Sequence, residues 1–194
     1  RLPPGIPIDE TQAPAIYASV LRHLFSTKQV EYGEITFLGD TRYSAQGRTV
    51  RKVLDRAADR VFRGALKSAA DVYEGPAMNH SYHEMIIGHG RCFSTVLLSE
   101  KAEKIPAIDY SPDYHRAQFL ATQMALAERG RYVVSIILKD LEDRSLKALE
   151  EFYSQVASVL KARLRPAWSL ISALSPAGFT LRRSNRWMNS APGR

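Results

Sequence analysis

The sequence predicts an all-α protein, a helical bundle of five to six helices with extended N- and C-terminal arms. Three observations lead to this prediction. Most of the chain carries apolar residues at the three- and four-residue spacing of amphipathic helices. Several of these segments begin at capping residues or end at glycine or proline. A single short stretch, residues 34–38, has strand character, and a lone strand is not stable by itself.

The domain organisation follows from proline content and charge. Residues 1–9 are predicted to form an extended arm, because proline fixes φ and removes a hydrogen-bond donor. Residues 10–165 are predicted to form the helical bundle, with an irregular insertion at residues 31–47. Residues 166–194 are predicted to be a basic C-terminal tail.

The first two helices are predicted from caps and apolar stripes. One begins near Thr11, accepts Pro14 in its first turn and ends at residues 27–29. The other is capped by Thr49, carries an apolar stripe over residues 50–72 and stops at Gly75 and Pro76. Its other face is rich in arginine and lysine. A solvated face is the favoured interpretation there, with a phosphate-tracking face as the alternative.

The later helices are predicted in the same way. A helical segment is expected over residues 79–105, broken near Gly88 and Gly90. Ser111 is a strong cap for a helix that begins with Pro112 and ends before Gly130. The apolar run at residues 132–141 is interpreted as a buried helix rather than a strand. Further helices are expected over residues 146–164 and 167–174.

Composition excludes several classes of protein. The 194 residues are 45% hydrophobic and 24% charged, which is typical of a globular domain with a sizeable core. The single cysteine, Cys92, excludes an internal disulfide and favours a reducing compartment. No apolar run approaches the roughly 20 residues that span a bilayer. The chain begins at Arg1 without methionine, and removal of an organelle-targeting peptide would explain that start.

The positive charge lies at one end of the chain. The net charge is +7, and the seven basic residues after position 160 account for all of it. Such asymmetry is typical of a segment that contacts anionic lipid, RNA or an acidic protein surface. Trp168 and Trp187 lie in the same segment.

One cluster of residues suggests metal chemistry. His80, His83, His89 and Cys92 fall within thirteen residues, and imidazole and thiolate are good zinc ligands. Their spacing matches neither a zinc finger nor the His-Glu-x-x-His pattern. No metal ligand and no cofactor are therefore assigned, and surface histidines with a core cysteine are the favoured interpretation.

Motifs for catalysis are also lacking in the sequence. It has no Gly-x-Ser-x-Gly elbow, and no Walker A sequence. The pair Gly88 and Gly90 lacks the third glycine of a dinucleotide fingerprint. The sequence therefore predicts a protein that is not an enzyme, with no catalytic residue.

Three stretches carry a resemblance to a known family. They are Tyr17-Ala-Ser-Val-Leu with residues 26–29, then Leu126-Ala-Glu-Arg-Gly-Arg, then Ser172-Ala-Leu-Ser-Pro. In this order they resemble the oligomycin-sensitivity-conferring (delta) subunit family of F-type ATP synthases. The resemblance implies an all-α N-terminal domain that sits on the catalytic head and has no active site.

The functional hypothesis joins these observations. We expect a non-catalytic structural subunit of a mitochondrial inner-membrane complex on the matrix side, with ATP synthase as the first choice. Its partners would be other subunits, held through both termini, with possible lipid contact by the basic tail. One alternative is a mitochondrial ribosomal protein whose basic tail contacts RNA. The other is a helical metal-binding enzyme centred on residues 80–92.

A physical prediction accompanies that hypothesis. Three segments have no evident partner within the bundle, and together they would expose more apolar surface than a monomer tolerates. They are therefore expected to contact other chains through Ile6, Ile8, Ile35, Phe37, Leu38, Trp168, Leu170, Ile171, Phe179 and Trp187.

Overall fold

Helices and strands alternate along the chain. The structure, a computed structural model, describes residues 11–75, 81–101, 104 and 110–162, without the side chains of residues 81–83 and 86. In chain order it contains helix α1 (Ala13–Ser26), strand β1 (Tyr32–Leu38), helix α2 (Ala45–Ala58), a π-helical segment (Asp59–Leu66), strand β2 (Ala69–Gly75), helix α3 (Ser81–Gly88), strand β3 (Cys92–Ser99), helix α4 (Pro112–Glu128), strand β4 (Tyr132–Leu138) and helix α5 (Asp143–Ala162).

The strands form one four-stranded sheet in the order β2-β1-β3-β4, and every neighbouring pair is parallel. Tyr32 at the start of β1 lies opposite Ala69 on one side and Cys92 on the other. The prediction of an all-α bundle is therefore wrong, and so is the all-α domain implied by the family resemblance. The protein has an α/β fold in which helices connect parallel strands.

Two predicted helices contain strands whose residues do not alternate between polar and apolar. All eight residues of β3 are buried, so β3 shows no alternation of polar and apolar residues. Strand β4 lies at an edge of the sheet and none of its residues is buried, but its sequence is also apolar without regular alternation and so resembles a buried helix. In the described part of residues 79–105 the helix is limited to α3, and the predicted helix over residues 132–141 is replaced by β4.

The predicted helix over residues 50–72 also ends early. Its apolar stripe continues from α2 through the π-helical segment, where Val61, Phe62 and Ala65 are buried. Lys67 then takes a left-handed conformation at φ 56° and breaks the helix. The chain enters β2 at Ala69, so residues 69–72 belong to the sheet.

Three predicted helices are confirmed. Helix α1 has its proline in the first turn, and α5 covers the apolar stripe that begins at Leu146. Helix α4 begins as predicted, with the Ser111 hydroxyl accepting a hydrogen bond from the Tyr114 amide at 3.2 Å. Gly130 follows α4 with φ 64°, the left-handed conformation that glycine adopts without strain.

The sheet has a hydrophobic core on each face. Helices α1, α2 and α5 and the π-helical segment cover one face, with Leu21, Leu54, Phe62, Tyr153 and Leu160 among the buried residues. Helix α4 covers the other face, where Phe119 and Leu126 pack with Leu38, Val96 and Leu98. In the described part of the chain, no helix is long and apolar enough to cross a bilayer.

Strand β1 lies in the interior of the sheet. Ile35 and Phe37 are fully buried, and Leu38 is 2% exposed. The prediction that residues 34–38 contact another chain is therefore wrong, because two neighbouring strands and both helix layers cover them. The other residues of that prediction, the arm at 1–9 and the tail at 166–194 lie outside the described residues, as does the predicted helix at 167–174.

Candidate functional site

The topology of the sheet predicts where a ligand would bind. In open parallel sheets, ligands bind outside the carboxyl ends of the strands, at the point where the strand order reverses. Strand β1 is followed by β2 on one side, and the chain then crosses to β3 on the other side. The carboxyl edge therefore comprises the loop after β1, the end of β2 and the end of β3.

The loop after β1 is folded around the carboxylate of Asp40. This carboxylate accepts backbone hydrogen bonds from Arg42 at 2.8 Å, Tyr43 at 2.7 Å and Ser44 at 2.8 Å. Partial burial by itself would raise the pKa of Asp40, but the hydrogen bonds from Ser44, Tyr43 and Arg42 outweigh it and lower the pKa. The side chain thus holds amides that, at the start of a helix, commonly bind phosphate.

A second carboxylate, that of Glu74, accepts hydrogen bonds from the same loop. Glu74 lies near the end of β2, the region where many dinucleotide-binding domains carry an acid for the ribose hydroxyl. Here it is 1% exposed and accepts hydrogen bonds from the amide of Thr41 at 2.6 Å and from its hydroxyl at 2.7 Å. The Arg42 guanidinium lies 3.4 Å from its other oxygen. Glu74 therefore binds the chain's own loop.

A buried histidine lies in the first turn of α4, the helix that follows β3. His115 is fully buried, and its ring packs in a T-shaped arrangement with the rings of Tyr110 and Tyr114. Neither ring nitrogen has a hydrogen-bond partner among the residues that the structure describes. Burial lowers the pKa of His115, so the imidazole is neutral at pH 7.

The predicted metal cluster is only partly described. His89 lies 3.3 Å from a carboxylate oxygen of Glu31. Cys92 is buried at the start of β3, and burial, with a smaller effect of Glu34, raises the pKa of its thiol to about 12. Zinc needs a thiolate, which this environment disfavours. No group of three potential metal ligands occurs among the described residues. His80 and the side chain of His83 lie outside them.

Three carboxylates partly neutralise the basic face of α2 and the π-helical segment. Arg56 and Arg60 both bind Glu150, at 3.0 and 3.1 Å. Arg51 pairs with Asp55 at 2.9 Å, and Arg63 pairs with Asp59 at 2.5 Å. This arrangement agrees with the favoured interpretation of a solvated face, because a phosphate would have to compete with these carboxylates.

Comparison with known proteins adds a likeness of fold. No protein-family model and no curated protein matches this sequence. One similar solved structure is the hypothetical protein TT0462 from Thermus thermophilus, with a TM-score of 0.55 and 17% sequence identity. The match covers 84% of this chain and 44% of that one, so the chain spans less than half the length of its structural relative.

Sequence reasoning missed the residues of the carboxyl edge. Asp40, Thr41 and Glu74 follow or end strands, whereas the sequence pattern favours an insertion at residues 31–47 and one helix over residues 50–72. The available signal is local. An apolar stretch is followed by Gly39 and Asp40 and then by the cap Ser44, which is a strand–loop–helix order.

Proposed function

We propose that this chain is a non-catalytic α/β domain that works through contact with other proteins in a larger assembly. The observation that carries the proposal is the closed carboxyl edge. Asp40 accepts hydrogen bonds from the backbone amides just before α2, and Glu74 accepts hydrogen bonds from the amide and hydroxyl of Thr41. Side chains of the protein itself therefore fill the positions that a nucleotide would use.

Displacing these side chains would be costly. Hydrogen bonds to a charged group contribute roughly 1.5–3 kcal/mol each, and leaving a buried carboxylate unpaired costs at least as much. A phosphate that approached this loop would also meet the negative charge of Asp40. The loop is therefore organised as a structural element.

The other half of the proposal rests on the outer edge of the sheet. Strand β4 is paired with β3 on one side, and no other described residue pairs with its opposite edge. Ile137 on β4 is 56% exposed, and Leu120 and Met124 on the covering helix α4 are 60% and 61% exposed. An open apolar edge is a template for strand addition. The occupant that we propose is an extended apolar strand of a partner chain.

The closed edge is tested by ligand titration. ATP and NAD should give no saturable signal in calorimetry with the full chain, because Asp40 and Glu74 already accept the amides of residues 41–44. A variant with Glu74→Gln serves as the comparison, since it loosens the loop without adding bulk. Micromolar binding of either nucleotide to the unaltered protein would overturn the non-catalytic part of the proposal.

The open edge is tested by charge substitution. Ile137→Lys combined with Leu120→Lys should release the protein from its native assembly, measured as a lower sedimentation coefficient in extracts of its source cells. Tyr43→Lys is the matched control, because Tyr43 is 39% exposed but lies on the loop after β1. If the double variant sediments with the wild type, β4 is not the contact surface.

The proposal does not depend on the family resemblance. Three statements stay predictions from the sequence: that the chain is an ATP synthase subunit, that it lies at the mitochondrial inner membrane, and, alternatively, that it is a ribosomal protein. Separating ATP synthase from mitochondrial ribosomes would distinguish these two predictions, since the protein would migrate with only one of the two particles.

A further inference from the structure

A pocket of about 680 Å³ opens beside the edge strand β2, away from the carboxyl edge described above. Its walls come from the starts of β1 and β2 and from the region of α3, and its principal side chains are Glu31, Tyr32, Asp71, Tyr73, Met85 and His89. The volume is within the range of about 300–1,000 Å³ found for small-molecule sites. The lining combines carboxylates, aromatic rings and a thioether.

We propose that this pocket binds a small organic ammonium ion with a single positive charge. The site goes beyond the proposed function and shares no residue with it. Asp71 is its centre. The carboxylate of Asp71 accepts hydrogen bonds from the hydroxyls of Tyr32 and Tyr73, the latter at 3.2 Å, and no described residue forms an ion pair with it.

The other acids near the pocket are already neutralised. Glu31 binds Arg91 at 2.7 Å and lies 3.3 Å from His89. Glu34 lies beside Asp71 in the sheet register and is 1% exposed. Its burial favours the protonated form. Among the residues that the structure describes, Asp71 is therefore the one pocket carboxylate without an ion pair or a protonated form favoured by burial, and a single negative charge suits a monovalent cation.

The remaining lining indicates an ion with a carbon skeleton. Tyrosine faces attract cations through the ring quadrupole, and alkylated ammonium ions are the ligands that aromatic sites typically hold. The thioether of Met85, which is 45% exposed, offers a polarizable apolar contact. An inorganic ion would leave most of the pocket unfilled, whereas an alkylammonium ion would contact both walls.

The experiment compares a cation with its neutral analogue. Cyclohexylammonium should bind the full chain saturably in calorimetry, and cyclohexanol, which has the same ring, should bind at least about tenfold more weakly. Asp71→Asn should weaken cyclohexylammonium binding about tenfold or more. Tyr73→Phe, which keeps the ring, should bind within about twofold of the wild type, and Tyr73→Leu should lose about fivefold.

The controls separate loss of the site from loss of the fold. Glu84→Gln removes an exposed carboxylate on α3 that does not line the pocket, so its affinity should equal that of the wild type. Each variant is checked by thermal unfolding, and Met85→Ala replaces Asp71→Asn if the latter does not fold. The proposal is overturned if cyclohexylammonium does not bind, if cyclohexanol binds equally well, or if the pocket variants match Glu84→Gln.

Discussion

Glu34 shows how burial of a single residue can control stability. Its carboxyl group lies in the central strand β1, and burial raises its pKa to about 8 against the opposing effect of the Ser94 hydroxyl. In the unfolded chain the pKa is near the ordinary 4.5. The folded state therefore binds the Glu34 proton more tightly than the unfolded chain does. The contribution of this proton to the free energy of unfolding is complete below pH 4.5 and is lost as the pH rises through 8. A pKa shift of this size corresponds to a change of roughly 5 kcal/mol in the free energy of unfolding.

We therefore predict that Glu34→Gln flattens the pH dependence of stability. The wild type should lose free energy of unfolding between pH 5 and pH 9 relative to the variant, because only the wild type must ionise a buried acid. Urea unfolding at several pH values measures this difference. Glu128→Gln, at an exposed position, is the control and should follow the wild-type curve. Parallel curves for all three proteins would contradict the prediction.

A second prediction at the residue scale concerns the reactivity of the Cys92 thiol. Its thiol is buried at the start of β3 and its pKa is raised to about 12, so little thiolate exists at neutral pH. A thiol reagent such as dithiobisnitrobenzoate should modify the native protein slowly, and the unfolded protein in urea at the ordinary rate of a free cysteine. Rapid modification of the native protein would show that Cys92 is accessible.

At the scale of elements, the π-helical segment approaches β1 closely at Gly33. A Cβ atom on Gly33 would lie 2.3 Å from the Phe62 ring, which is fully buried. Gly33→Ala should therefore cost about 1–3 kcal/mol in the free energy of unfolding, because the buried ring would have to shift to admit the methyl group.

A matched control exists for this substitution. A Cβ atom on Gly88, at the end of α3, would meet no atom within 4 Å. Gly88→Ala should leave the free energy of unfolding unchanged or raise it by up to about 1 kcal/mol. Chemical denaturation of both variants tests the pair. Equal effects would mean that contact with Phe62 does not set the position of the π-helical segment.

At the scale of the whole molecule, the described core is complete before the basic tail begins. The buried apolar residues extend from Tyr17 to Leu160, and Arg1–Leu164 forms one compact unit. We predict that a chain ending at Leu164 unfolds in one cooperative transition, measured by circular dichroism. A chain ending at Glu142 should fail to fold, because it lacks α5 with Tyr153 and Leu160. A non-cooperative transition in the longer chain would contradict this.

The sequence alone determined the elements whose signals are local. The Ser111 cap with Pro112 located α4, and helical spacing located α1 and α5, because these signals depend on hydrogen bonds within a few residues. The strand character of residues 34–38 is recognisable from the residue types of the segment itself, which include β-branched and aromatic side chains. The assignment of no metal site also came from local spacing, but His80 and His83 leave it untested.

Only the tertiary structure decided that the protein is an α/β fold. Strands β3 and β4 carry nearly continuous apolar runs, and such a run suits a buried helix or a strand covered on both faces equally well. The choice depends on hydrogen bonds to β1 and β3, which lie far away in the sequence. Thr41 and Glu74 are likewise 33 residues apart in the sequence, and Tyr32 and Asp71 are 39 residues apart. Those pairs meet because parallel pairing brings separate strands into register, which local spacing does not encode.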